Sequence, residues 1–263
     1  MIDNQFIFVC GLHRSGTSIL FRSLRDHSQI SGFQETVSPE DEGMHLQSVY
    51  YPSGHYGGAG EFGFHTEAHL TETSPLLTET NRNKLFLEWS KYWDINKPYL
   101  LEKSPPNVIR TRFLQAMFPK SYFIILVRHP LAVTYATWAW YRIHRFHTRS
   151  FARILEHWLV CHELFLEDCK YLDNVVLLKY EHFVADPNGW ISRINTFLHL
   201  QNHETNQKVL SSVNEKYFGN WQRDLDSWFS GFSSRRLISR FEERFNKFGY
   251  SLLDLERADP MDF

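Results

Sequence analysis

The stretch Gly11-Leu12-His13-Arg14-Ser15-Gly16-Thr17-Ser18 constrains this chain more than any other. The apolar run Phe6-Ile7-Phe8-Val9-Cys10 precedes it, and Ile19-Leu20-Phe21-Arg22-Ser23-Leu24 follows with apolar residues at helical spacing. Strand, glycine-bearing turn and helix together make an anion cradle. Successive backbone N–H groups and the positive end of the helix converge on one point. Ser15, Thr17 and Ser18 add hydroxyl donors, and Arg14 adds a permanent charge with forked donors. The ligand this pattern predicts is a phosphate group. The plainer alternative is a β–turn–α connection that merely uses glycine.

The loop departs from the form that binds magnesium triphosphates. That form, G-x-x-x-x-G-K-[ST], supplies a Lys to the β/γ-phosphates and a hydroxyl to Mg²⁺. Gly11 and Gly16 keep the spacing, but Thr17 stands in the Lys place. The best apolar strand, Phe123 to Val127, ends in Arg128 where P-loop NTPases carry an Asp that helps hold Mg²⁺. A nucleotide with separated anionic groups, neutralised by protein cations, suits these residues better, and no metal is required.

The rest of the chain reads as alternating strands and helices. Strands are expected at 6–10, 30–35, 99–101, 122–127 and 174–179. Helices are expected near 17–27, 75–93, 107–118, 131–145, 149–171, 187–198 and 233–248. Alternation of this kind predicts a three-layer α/β/α fold around a central parallel sheet, P-loop NTPase-like, in one domain over 1–263. Its ligands belong at the carboxyl ends of the strands. Residues 36–74 are irregular and rich in turn signals, yet they carry Tyr50, Tyr51, Tyr56, Phe62 and Phe64. Those aromatics argue for a covering lid or acceptor loop over disorder. Residues 201–263 read as a C-terminal helical segment, with Asn214, Lys216, Tyr217 and Trp221 in a late loop that could close over a cofactor.

Composition excludes several classes. A net charge of −2 gives no general attraction to nucleic acid or to a membrane surface. No apolar run approaches a membrane span. Asp3, Asn4 and Gln5 lead into the first strand without a basic or long apolar leader, so a cytoplasmic location is expected. Cys10, Cys161 and Cys169 have no metal spacing and no even-numbered framework, and read as reduced thiols. His45, His55, His65 and His69 fall in the long loop, but not in a metal-binding pattern. No metal site is expected.

Charge is segregated along the chain. Arg14, Lys103 and Arg128 each follow a predicted buried strand, which would aim all three into one crevice. From Glu102 to Arg149 there are eight Lys/Arg and one acid, whereas from Asp26 to Asn81 there are nine acids and no Lys or Arg. This suggests a basic cofactor side facing an acidic acceptor loop, and an acceptor that is neutral or cationic.

At this point the sequence resembles the sulfotransferases that use 3′-phosphoadenosine 5′-phosphosulfate (PAPS). Gly11 to Ser18 looks like their 5′-phosphosulfate loop, and Arg128-His129-Pro130 like their 3′-phosphate motif. Lys179-Tyr180-Glu181-His182-Phe183 with Asp186-Pro187 looks like a recurrent Tyr-Glu-x-Leu…Asp-Pro segment. Glu102-Lys103-Ser104-Pro105 is similar to an element of the bacterial and tyrosylprotein branches, and Phe248-Gly249-Tyr250 is a typical ending. The similarity spans about residues 6–200. The resemblance implies that Ser15, Gly16, Thr17 and Ser18 bind the 5′-phosphosulfate. It places Arg14 near the bridging oxygen, Lys103 near the transferred sulfuryl, Arg128 on the 3′-phosphate and Tyr180 near the adenosine. The family has a Ser eight positions after that Arg; here it is Ala136, with Thr137 or Thr134 to supply the hydroxyl. Glu35 lies 21 residues after Arg14, as the catalytic Glu of the tyrosylprotein branch does, and is the expected general base. No His matches the base of the small-molecule branch.

The expected reaction is in-line sulfuryl transfer from PAPS, leaving the product PAP, to a hydroxyl or amine. The acceptor could be a small molecule, glycan, lipid or peptide. Arg14 and Lys103 would neutralise the growing charge. The alternatives are a P-loop kinase or other phosphotransferase, and a non-catalytic nucleotide-binding protein.

Overall fold

The structure, a computed structural model, describes residues 3–143, 149–228 and 230–260. Its strands are β1 (Gln5–Gly11), β2 (Ile30–Gly32), β3 (Tyr99–Lys103), β4 (Ser121–Val127) and β5 (Val175–Lys179). They form one sheet in the order β2-β3-β1-β4-β5, with every pair parallel. The central strands are near-continuous apolar runs because both faces are covered: Ile7, Phe8, Val9 and Cys10 in β1 and Phe123 to Val127 in β4 are fully buried. The register sets Val9 beside Lys103 and Gly11 beside Leu126. The loop after β1, the end of β3 and Arg128 after β4 therefore leave the sheet along one edge.

Helices flank the sheet: α1 (Thr17–Arg25), α2 (Glu79–Trp89), α3 (Thr111–Met117), α4 (Pro130–Ile143), α5 (Phe151–Cys169), α6 (Tyr180–Ala185), α7 (Pro187–Phe197), α8 (Glu215–Asp226) and α9 (Gly231–Asn246). Local chemistry sets several boundaries. Thr78, Ser150 and Asp186 each accept a backbone N–H of the following first turn, and Pro187 occupies the position where a missing N–H costs nothing.

Several expected boundaries move. The helix expected over 75–93 starts only at Glu79, because Thr78 caps it. The helix expected over 107–118 is broken. Pro105–Ile109 form a 3₁₀ turn, and Arg110 leaves helical geometry before α3 begins. Lys216, Tyr217 and Trp221, expected in a late loop of the C-terminal helical segment, lie in α8, which Phe218 and Trp221 hold by one buried face. The strand at 30–35 stops at Gly32, and residues 144–145 of the helix expected at 131–145 lie outside the described residues. No helix among the described residues is long and apolar enough to cross a membrane.

Residues 36–74 form a packed strap of five short 3₁₀ turns. Met44, Phe62 and Ala68 pin it into the core. Three of its acids, Glu42, Glu61 and Glu72, pair with cations of the basic half of the chain. Arg149 donates to Glu61 at 3.0 Å and to Gly57 O at 2.6 Å, and Arg153 also grips Glu61. Arg112 pairs with Glu72 at 2.7 Å, and Lys103 with Glu42 at 3.0 Å. Buried Arg110 donates to Tyr51 O and Ala68 O. The charge segregation thus helps to fasten the strap to the domain, while Glu40 and Glu67 stay exposed on it.

Trp89 joins strap and core. It is fully buried against Phe8, Phe33, Trp93 and Phe118, and its indole N–H donates to Gly43 O at 2.9 Å. Trp89→Ala should cost about 3–5 kcal/mol of stability, since a cavity and an unmet carbonyl are left together. Urea denaturation measures this; a loss under about 1 kcal/mol would contradict the packing described.

Candidate active site

The loop after β1 is shaped by close approach. A Cβ at Gly11 would stand 2.5 Å from Leu126 O, and one at Gly16 would stand 2.6 Å from the Tyr180 ring. Gly16 also takes a left-handed φ of 94° as it opens α1. Arg14 is left-handed too, at φ 69°, an uncommon state for a residue with a side chain and one that clusters at ligand clamps. Its exposed guanidinium lies 5.8 Å over the Trp140 ring. Thr17 is buried, and the Ser15 hydroxyl is buried with no hydrogen-bond partner. An unmet hydroxyl inside an anion-shaped turn is what a cradle for phosphate oxygens requires.

Lys103 closes β3 and is fully buried. Its ammonium donates to Ser18 Oγ at 3.3 Å and to Glu42 Oε1 at 3.0 Å. Burial raises the Glu42 pKa above the ordinary carboxylate value, and Lys103 opposes that rise. The other Glu42 oxygen faces His45 Nε2 at 4.0 Å. Burial, then the charge of Lys103, lowers the pKa of His45. His13, beside the same cations, falls to about 3 and stays neutral. Glu102, one residue before Lys103, is the hidden anchor. It accepts Ser104 Oγ at 2.5 Å and Asn107 Nδ2 at 2.6 Å, while Ser104 Oγ accepts the Met44 N–H at 2.9 Å. Only a glycine at 43 lets the strap come this near, since a Cβ there would be 2.5 Å from Glu102 Oε1.

Arg128 follows β4. It donates to Asn214 Oδ1 through Nε at 2.9 Å and Nη2 at 2.6 Å, and to Arg14 O through Nη1 at 2.8 Å. Its guanidinium lies 4.2 Å over the ring of Tyr180, the same ring that closes on Gly16. Glu181 ties the edge together, accepting from His129 N at 3.0 Å, Asn214 Nδ2 at 2.7 Å and Tyr250 OH at 2.8 Å. On α4, Ala136 is half-buried, Thr137 is buried, and the buried Thr134 hydroxyl has no hydrogen-bond partner.

The structure therefore brings Ser18 to Lys103 and links Arg14, Arg128 and Tyr180. Glu35 sits apart from these contacts, exposed on a left-handed turn at φ 53° after β2. Glu42, Glu102 and Glu181 were not singled out by role in the sequence. His69 pairs with Asp168 at 2.8 Å, and among the described residues no three His, Cys, Asp or Glu gather as a metal cage.

A parallel sheet with a glycine-cradled, phosphate-loop-like turn at its carboxyl edge defines the class: a P-loop-like α/β protein. The sequence matches the sulfotransferase family over residues 6–204, and the chain belongs to that family. Among solved structures, the sulfotransferase domain from the curacin biosynthetic pathway is 17% identical at a TM-score of 0.50, over 90% of this chain and 97% of that one. A sulfotransferase from Alicyclobacillus acidocaldarius is 16% identical at 0.50, over 92% and 96%. Sulfotransferase STF9 from Mycobacterium avium is 14% identical at 0.51, over 98% and 79%. They share its fold. No curated protein sequence matches the chain.

Glu102 gives a pH signature. Burial above all lifts its pKa from 4.5 to about 7. The folded state then keeps a proton that the unfolded chain releases, so this group's contribution to stability falls as pH rises from 4.5 to about 7. Buried histidines push the opposite way, so the difference between wild type and Glu102→Gln isolates the effect. Wild type should lose stability relative to the variant across that window; urea midpoints that run parallel would contradict it.

Proposed function

We propose that the chain transfers the sulfuryl group of PAPS, in line, to a hydroxyl or amine of an acceptor. One observation carries this reading. In the Walker loop the hydroxyl at the position of Ser18 goes to Mg²⁺. Here the ammonium of Lys103 stands at that hydroxyl, 3.3 Å away. A protein-borne cation occupies the role of the metal, which suits a donor whose charge is met by side chains.

The remaining residues fit the donor group by group. The backbone from Ser15 to Ser18 and the hydroxyls of Thr17 and Ser18 take the 5′-phosphosulfate, and the unmet Ser15 hydroxyl faces the same need. Arg14 stabilises charge at the bridging oxygen, and Lys103 at the sulfuryl oxygens. Arg128, already oriented by Asn214, takes the 3′-phosphate. Thr137 supplies a hydroxyl where Ala136 has none. Tyr180 flanks the adenosine. Fixed charges and dipoles aimed at developing charge do most of the work. The acceptor's proton goes to a carboxylate, for which Glu35 at the exit of β2 and Glu42 against Lys103 are the two candidates. The acceptor is a small molecule, glycan, lipid or peptide.

Isothermal titration tests the donor assignment. Wild type should bind PAP without Mg²⁺, and Arg128→Ala should weaken it about a hundredfold, near 2.7 kcal/mol, through the loss of charge-assisted contacts. Magnesium-dependent ATP binding with no PAP binding would overturn the reading in favour of a kinase.

A further inference from the structure

We infer that Glu42 is the proton acceptor for the transfer, and that Lys103 holds it in place and releases it when the sulfuryl group arrives. This rests on the reading just given and narrows it to one residue.

Position comes first. One buried ammonium bridges Ser18 Oγ of the phosphate loop and Glu42 Oε1, at 3.3 and 3.0 Å. Glu42 is therefore tied to the cation nearest the reacting group, whereas Glu35 is exposed to solvent. The Glu42 side chain is 11% exposed, and its second oxygen, Oε2, lies 4.0 Å from His45 Nε2. That oxygen is not committed to Lys103.

Support comes second. The strap around Glu42 is fastened on three sides. Ser38 Oγ donates to Glu42 O at 2.8 Å, the Trp89 indole to Gly43 O at 2.9 Å, and Met44 N to Ser104 Oγ at 2.9 Å. A carboxylate fixed this firmly at the end of a loop has the preorganisation that proton transfer needs.

Exchange comes third. Lys103 has one buried ammonium and two anionic claimants, the carboxylate of Glu42 and a sulfuryl oxygen. As it turns to the sulfuryl, Glu42 loses the contact that offsets its burial and becomes the stronger base. The charged and titratable groups around Glu42 are Lys103 and Glu102 from β3, Arg14 from the phosphate loop, and Glu40 and His45 from the strap. In the step itself, a Glu42 oxygen takes the proton of the acceptor hydroxyl while the acceptor oxygen forms its bond to sulfur. The bond between sulfur and the 5′-phosphate oxygen breaks, and its electron pair stays on that oxygen, leaving PAP. Glu42 then returns the proton to water.

The test needs no known acceptor, because water can serve as one. Single-turnover cleavage of PAPS to PAP and sulfate is followed from pH 5 to 9 in wild type, Glu42→Gln, Glu42→Asp, Glu35→Gln and Glu40→Gln, with PAP affinity measured for each. Glu42→Gln should lose about 10²–10⁴-fold in rate together with the fall of rate at acidic pH, and keep PAP affinity within about threefold. Glu42→Asp should recover part of the rate and the acidic fall. Glu40→Gln should keep the wild-type rate at neutral pH and move the acidic fall to lower pH, because the Glu40 charge is one of those that raise the Glu42 pKa. A wild-type rate in Glu42→Gln, or a loss confined to Glu35→Gln, overturns the inference while PAP binding leaves the donor reading standing. Wild type that neither binds PAP nor cleaves PAPS overturns both.

Discussion

The ammonium of Lys103 is the interaction on which the rest of the site depends. It is fully buried at the end of β3. Leaving such a charge unpaired costs several kcal/mol, so its surroundings are obliged to answer it. Glu42 is the answer, and that requirement propagates. The strap must lie against β3, and position 43 must be glycine to let it. Glu102 and Ser104 must fasten the neighbouring backbone, and Trp89 must cap the Gly43 carbonyl. A single buried cation thereby accounts for how the strap is held at Glu42 to Met44, while Arg110, Arg112, Arg149 and Arg153 fasten the rest of it.

Arg128 plays the same part at the other end of the edge. Its guanidinium is shared among the Asn214 side chain, the Arg14 carbonyl and the Tyr180 ring. Glu181 then binds Asn214, His129 and Tyr250. The C-terminal residues are drawn into the site by this chain of contacts. A segment distant in sequence becomes the orienting wall for a cation that follows β4.

Much of this was legible in the sequence, for a definite reason. Arg14, Lys103 and Arg128 each follow a buried strand, and a parallel sheet must carry such residues to one edge. Period and burial suffice for that inference. Glu42 was not legible, because its role is fixed by a contact across the strap and no periodicity governs 3₁₀ turns. Glu35 drew attention by spacing from Arg14, and spacing says nothing about exposure. The segregated charge was visible too, yet its meaning was not. Acids at 61 and 72 and arginines at 112 and 149 read as two opposed surfaces until the pairs Arg149–Glu61 and Arg112–Glu72 show them closing one on the other. Helix α8 was within reach, since Phe218, Trp221 and Leu225 recur at helical spacing.

The missing lysine of the phosphate loop takes on its meaning from β3. A loop lysine is a flexible point charge that works together with a diffusible metal. Lys103 instead issues from a central strand, with its stem packed in the core and its head beside Ser18. Its stem is set by the fold, so that only the ammonium has to turn from Glu42 as an anion arrives beside it. The cost is that it must be neutralised whenever no anion is present. A carboxylate within reach of the same ammonium meets that need, and the carboxylate is then already where an acceptor proton has to go. Stabilising the resting site and equipping it with a base become one requirement, met by one residue.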